Sequence, residues 1–226
     1  MILRRGPDQR RARQLAAARE GPLRDYLAQP FPKTSVEHTR LRLLAVDLET
    51  TGLDPQRDEI LSIGMVPVDG LSIVLSGARH MVVRGARSVG QSAVVHGLTD
   101  DTVAEGIGLA DALATVLAAL GRRVLLAHHA AIERDFLSAA CQRVFGGALP
   151  CVSVDTMALE HRLLDPGWGH EPPPGSLRLD AARQHHGLPR YRPHDALTDA
   201  LACAELYLAQ ASALARGGRL TLRQLT

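Results

Sequence analysis

Lysine is almost missing from this chain: of its 26 basic residues, 25 are arginine and only Lys33 is lysine. Against 24 acids they leave a formal charge of +2. That balance does not mark a nucleic-acid binder by charge alone, and so one-sided an arginine share can reflect codon composition as readily as phosphate contacts. Cysteine is scarce and odd in number. Cys141, Cys151 and Cys203 include no Cys-x-x-Cys pair, which argues against a disulfide framework or a structural zinc site and fits a reducing compartment. Long apolar runs are missing too. The longest, Ala112 to Leu120, is about half of a membrane span, and Met1-Ile2-Leu3-Arg4-Arg5-Gly6 lacks the apolar core of a signal peptide. The expectation is a cytoplasmic protein with no membrane partner. At 226 residues and 46% hydrophobic content, the chain can bury one sizeable core and still carry an appendage.

What is present is organised around Leu43-Leu44-Ala45-Val46-Asp47-Leu48-Glu49-Thr50-Thr51-Gly52. An apolar run bounded by turn residues reads as a buried strand. Side chains alternate across a strand, so Asp47 and Glu49 share one face while Val46 and Leu48 share the other. Two neighbouring carboxylates at the end of a buried strand repel each other and lose hydration, so they call for basic partners or bound cations. Taken alone, Asp-x-Glu equally suits a strand whose end frays into solvent.

Residues 1–40 differ from the rest. Seven arginines fall between Arg4 and Arg24, around a helical-looking Arg10 to Glu20, and are followed by Gly21-Pro22 and Pro30-Phe31-Pro32. This segment reads as an Arg-rich appendage, either an arm for nucleic acid or a partner protein, or a solvated helix packed loosely on the domain. Ile60 to Val68 and Leu71 to Val83 read as two strands joined by an Asp69-Gly70 hairpin. Helices at Leu109 to Leu120, Ala131 to Phe145, Thr156 to Leu164, Leu177 to His186 and Asp195 to about Leu214 then alternate with short strands at Arg123 to Ala127 and Cys151 to Val154. Strands first and alternation afterwards imply an α/β fold, a mixed sheet with helices on both faces. The main domain is expected over 41–215, with a tail at 216–226.

Further acids sit on the helices. Glu133 precedes Leu137 by one turn and shares its apolar stripe with Ala140 and Val144, so its carboxylate points inward. A first-turn acid favoured by the helix dipole would look the same. Asp135 falls about 200° around the helix from Glu133 and should face solvent. Asp195 is the expected N-cap of the last helix, with Asp199 in its first turns. His194 and Asp199 would diverge by about 140° on a continuous helix, so they converge only if His194 lies on the loop before it. Asp155 is either a fifth site acid or, as we prefer, the N-cap of the helix that follows.

Three segments taken together, Asp47-Leu48-Glu49-Thr50-Thr51-Gly52-Leu53, His128-His129-Ala130-Ala131-Ile132-Glu133 and His194-Asp195-Ala196-Leu197-Thr198-Asp199, resemble the three motifs of the DEDDh 3′–5′ exonucleases. Among these they are most like the proofreading (epsilon) subunits of bacterial DNA polymerase III. The resemblance covers roughly residues 43 to 213. It implies a ribonuclease H-like three-layer fold with a five-stranded mixed sheet. It also implies two Mg²⁺ or Mn²⁺ ions held by Asp47, Glu49, Glu133 and Asp199, with His194 as general base. Thr51, Leu53 and His96 would contact the terminal nucleotide, the substrate being the 3′ end of single-stranded DNA or short RNA and a polymerase subunit the implied partner. The second motif departs from the family's His-Asn-Ala-x-Phe-Asp: His129, Ile132 and Glu133 stand at the Asn, Phe and Asp positions. That departure sustains an alternative of another class, a catalytically weakened exonuclease-fold module that binds nucleic acid or a polymerase.

Overall fold

The computed structural model describes residues 6–84, 105–165, 169, 171–192 and 194–226. Two helices, α1 (Pro7–Ala17) and α2 (Pro22–Leu27), precede β1 (Arg42–Thr50), β2 (Ile60–Asp69), β3 (Ser72–Ile73) and β4 (Arg79–Val82). Then come α3 (Leu109–Leu120), β5 (Val124–Ala127), α4 (Ala131–Phe145), β6 (Ser153–Asp155) and α5 (Thr156–Leu164). The chain closes with α6 (Leu179–His185), α7 (Ala196–Ala215) and α8 (Leu222–Leu225). No helix among the described residues is long and apolar enough to cross a membrane.

β1 lies at the centre, antiparallel to β2 from Arg42↔Asp69 to Thr50↔Ile60 and parallel to β5, which is parallel to β6. β3 and β4 both pair with the outer edge of β2, β3 at Val68–Asp69 and β4 at Ser62–Met65. Six strands therefore fill five positions, which is the expected five-stranded mixed sheet of a ribonuclease H-like fold. The hairpin turns at Gly70, whose φ of 60° is left-handed backbone that glycine adopts without penalty. Leu71 to Val83 is not one strand, however. A 3-10 turn at Leu75–Gly77 divides it, and the gap in pairing falls at Pro67 of β2, which has no N–H to give a ladder.

The period-two pattern of β1 sorts its side chains into two cores. Leu44, Val46 and Leu48 pack on one face with Leu113 and Leu117 of α3 and Phe136 and Leu137 of α4. Leu43 and Ala45 pack on the other with Ala200, Cys203 and Tyr207 of α7. Asp47 and Glu49 continue that second row, so alternation alone aims both acids toward α7.

The expected boundaries near 40 and 216 do not separate packing units. Leu23, Tyr26, Leu27 and Phe31 are buried in the first core, and the Tyr26 hydroxyl donates to Pro150 O at 3.0 Å. At the other end Leu220, Leu222 and Leu225 belong to the second core. His38 N donates to Leu220 O at 2.8 Å and Leu222 N to Val36 O at 2.9 Å, so the two ends are stitched together. α1 alone fits the description of a solvated helix. It buries no residue and is held by Arg11 to Leu27 O at 2.6 Å and Arg24 to Leu15 O and Ala18 O at 3.2 and 3.1 Å.

Candidate active site

Three elements deliver the acids. β1 presents Asp47 and Glu49 at its C-terminal end, where the ladder with β2 shifts register between Glu49 and Thr50, an irregularity that commonly re-aims side chains beside sites. α7 presents Asp199 one turn inside its N-terminus. That N-terminus is fixed by Asp195, whose carboxylate accepts from Thr198 N at 2.8 Å. Asp47, Glu49 and Asp199 each bring one carboxylate oxygen to within 4.8 Å of the others. The approach depends on Gly64, which faces Asp47 across the ladder. A Cβ there would meet Ala196 O at 2.0 Å and Leu197 N at 2.3 Å.

His194 lies on the loop before Asp195, as its convergence with Asp199 requires. Its φ is 70°, and its backbone N–H donates to Asp199 Oδ2 at 2.8 Å.

α4 supplies the fourth acid. Glu133 is 5% exposed, and its Oε2 has no hydrogen-bond partner among the described residues. Asp135 is exposed and paired with Arg134 at 3.0 Å, so the helical phase read from the sequence holds. Glu133 is not among the three residues whose oxygens converge within 4.8 Å, but of all nearby charges it bears most strongly on Asp47.

The start of α4 is set by Asp155. Its carboxylate caps α5 by accepting from Met157 N at 2.9 Å and Ala158 N at 3.4 Å. It also reaches across to His129 N at 3.0 Å and Ala130 N at 3.1 Å. His129 has φ 71°, a left-handed conformation in which Asn and His are both enriched, which gives a physical reason why His can stand at the family's Asn position. His128 turns inward. Its ring nitrogens bond Thr156 Oγ1 at 2.9 Å and Leu177 O at 2.8 Å, and burial lowers its pKa, keeping the ring neutral.

Burial, then the charges of Glu133, Asp199 and Glu49, hold the Asp47 carboxyl well above the usual range. Burial and the neighbouring Asp199 raise Glu49 to about 7, and burial raises Glu133 to about 8. Asp199 also moves up through burial, against the pull of the His194 N–H and ring. Clustered acids that resist ionising are what a cation stabilises. An all-oxygen donor set suits the hard ions Mg²⁺ and Mn²⁺, and the orphaned Glu133 Oε2 leaves a buried lone pair for such a partner. The residues fit the group.

The loop after β1 is tightly made. The Thr51 hydroxyl accepts from Glu59 N at 3.0 Å and donates to Asp58 Oδ1 at 3.1 Å, so this side chain holds the loop together. Leu53 stands 80% exposed beside it. His96 lies outside the described residues. Sequence reasoning missed Gly64 and the contact of Asp155 with residues 129 and 130. A glycine in an otherwise apolar strand was the available signal for the first; nothing local signals the second.

This site at the end of a ribonuclease H-like sheet is of the exonuclease class. The exonuclease family model (RNase T) matches residues 44–207, and the chain belongs to that family. The PolC-type DNA polymerase III of Thermotoga maritima is 31% identical over 166 residues, 73% of this chain and 11% of that protein's length. The DNA polymerase III subunit epsilon of Treponema pallidum is 28% identical over 170 residues, 75% of this chain and 76% of its own. Among solved structures, E. coli exonuclease I in complex with an oligonucleotide shares the fold, with a TM-score of 0.66 at 16% identity over 78% of this chain and 42% of that one.

Proposed function

We propose that this protein is a divalent-metal-dependent 3′–5′ exonuclease that removes nucleotides from the 3′ end of single-stranded DNA, or of short RNA, which shares the chemistry. The observation that carries the reading is the convergence of Asp47, Glu49 and Asp199 from two separate elements, with the buried Glu133 beside them. Such acids would hold two Mg²⁺ or Mn²⁺ ions, which when bound activate water and compensate charge on the leaving oxygen. Glu133 in place of Asp keeps the same donor atoms, and its unpartnered oxygen favours the enzyme over the weakened binding module.

His194 is the general base, accepting the proton that the attacking water loses. Imidazole is the side chain most often used for such a proton transfer. Asp199 anchors the loop that carries it through the His194 N–H. Leu53, exposed on a loop held by the Thr51 and Asp58 side chains, packs against the terminal base, and His96 contacts the same nucleotide. The kinship with DNA polymerase III proteins supports a polymerase as partner.

The test is incubation with end-labelled single-stranded DNA and RNA in Mg²⁺, Mn²⁺ or chelator. Hydrolysis from the 3′ end should require the ion and vanish in Asp47→Ala and Asp199→Ala. His194→Ala should lower turnover ~10²–10⁴-fold with metal affinity nearly unchanged. Undiminished hydrolysis in chelator overturns the reading.

A further inference from the structure

On the side of α4 away from the acids, a groove of about 990 Å³ separates it from α1 and is completed by residues 148–151. Arg10 and Arg13 line it from α1, Arg134 and Asp135 from α4. Three guanidinium groups thus face a single carboxylate, which Arg134 already engages at 3.0 Å. Arg10 and Arg13 are three residues apart, on one face of their helix. Both are exposed, and no carboxylate pairs with either among the described residues. Arg11 and Arg24, by contrast, are used in fastening α1 to the domain. α1 has no fully buried residue; Leu15 packs partly buried against the first core, while Arg10 and Arg13 take no part in that packing and add positive charge along this groove.

We infer that the groove between α1 and α4 binds the phosphodiester backbone of the strand whose 3′ end occupies the Asp47 site. The inference rests on the exonuclease reading and extends it. Glu133, turned to the site, and Arg134 and Asp135, turned to the groove, are consecutive residues near the start of α4. Groove and acids are therefore about one helix width apart, ~10–12 Å. A strand of several nucleotides bent around the start of α4 spans that distance; a dinucleotide does not. Guanidinium groups suit phosphate oxygens through paired N–H donors.

The experiment uses the full chain and the double variant Arg10→Gln/Arg13→Gln, glutamine being as good a helix former as arginine. Anisotropy of a labelled oligothymidylate, measured in chelator across a salt series, reports binding without cleavage. The slope of log K against log salt should fall by about 1.4, roughly 0.7 per lost contact to a single strand, with affinity at low salt down on the order of tenfold. Turnover of a dinucleotide should not change. An unchanged slope overturns the inference, as does an equal fall in Arg19→Gln, whose arginine does not line the groove, or a parallel loss of dinucleotide turnover. If no variant or parent cleaves anything but the slope still falls, the groove stands and the exonuclease reading fails.

Discussion

Replacing Gly64 with alanine tests the packing that brings α7 against β1. The added Cβ would lie 2.0 Å from Ala196 O, 2.1 Å from the Ala196 carbonyl carbon and 2.3 Å from Leu197 N, where ordinary contact begins near 3.4 Å. All three atoms are backbone, so no side chain can swing aside, and the start of α7 must retreat by about 1.4 Å. Asp199 rides on that turn, and metal–ligand distances tolerate only ~0.2 Å. The variant should fold, at an overpacking cost of ~1–3 kcal/mol, and lose on the order of 10²-fold in turnover, as misplacements near 1 Å do. Rates on end-labelled single-stranded DNA across a Mn²⁺ titration, with thermal unfolding on the same samples, separate the two effects. A folded Gly64→Ala protein with parental turnover would refute the argument that this glycine sets the position of Asp199.

Glu133→Ala should severely reduce hydrolysis and weaken Mn²⁺ binding, while Asp135→Ala should change either no more than an ordinary surface substitution; the reverse outcome would show that the second motif is misaligned. Removing residues 1–38 deletes four buried side chains of the first core, together worth ~6–12 kcal/mol, comparable to a domain's whole stability. That truncation should yield unfolded protein by circular dichroism, whereas removal of residues 1–20 should leave a folded one. Glu160 is 1% exposed. Burial alone would raise its pKa, but hydrogen bonds from Gln210, His186 and His185 outweigh burial and lower it. Its contribution is therefore fully present above the unfolded value of ~4.3 and lost as pH falls through the lowered folded value. Glu160→Gln should flatten the acid side of the stability curve in urea titrations; an unchanged acid limb would remove Glu160 from that role.

How much of this was legible without coordinates depended on how local the determining physics is. The shared face of Asp47 and Glu49, the inward Glu133 and outward Asp135, and the Asp195 and Asp155 caps all follow from fixed helix and strand periods or from a cap acting within three residues. Leu23, Tyr26, Leu27 and Phe31 were illegible for the opposite reason. They sit sparsely among arginines and prolines, and their burial is decided by α3 and by residues 149–151, far away in sequence. Leu220, Leu222 and Leu225 likewise take their meaning from residues 34–38. The division of Leu71 to Val83 lay in its partner strand, at Pro67. Gly64 was visible as a residue, but its purpose belongs to a helix that begins over a hundred positions later.

Asp155 shapes the site by staying out of it. Its two oxygens accept from four backbone N–H groups, those of His129, Ala130, Met157 and Ala158. Under the proposed chemistry, Asp47, Glu49, Glu133 and Asp199 together carry as much negative charge as two divalent cations carry positive. A fifth carboxylate facing those cations would leave the loaded centre with an excess of negative charge just as a phosphodiester, itself an anion, arrives. Turning Asp155 onto peptide N–H groups leaves four carboxylates to match two divalent cations, which lessens the repulsion that the incoming strand meets.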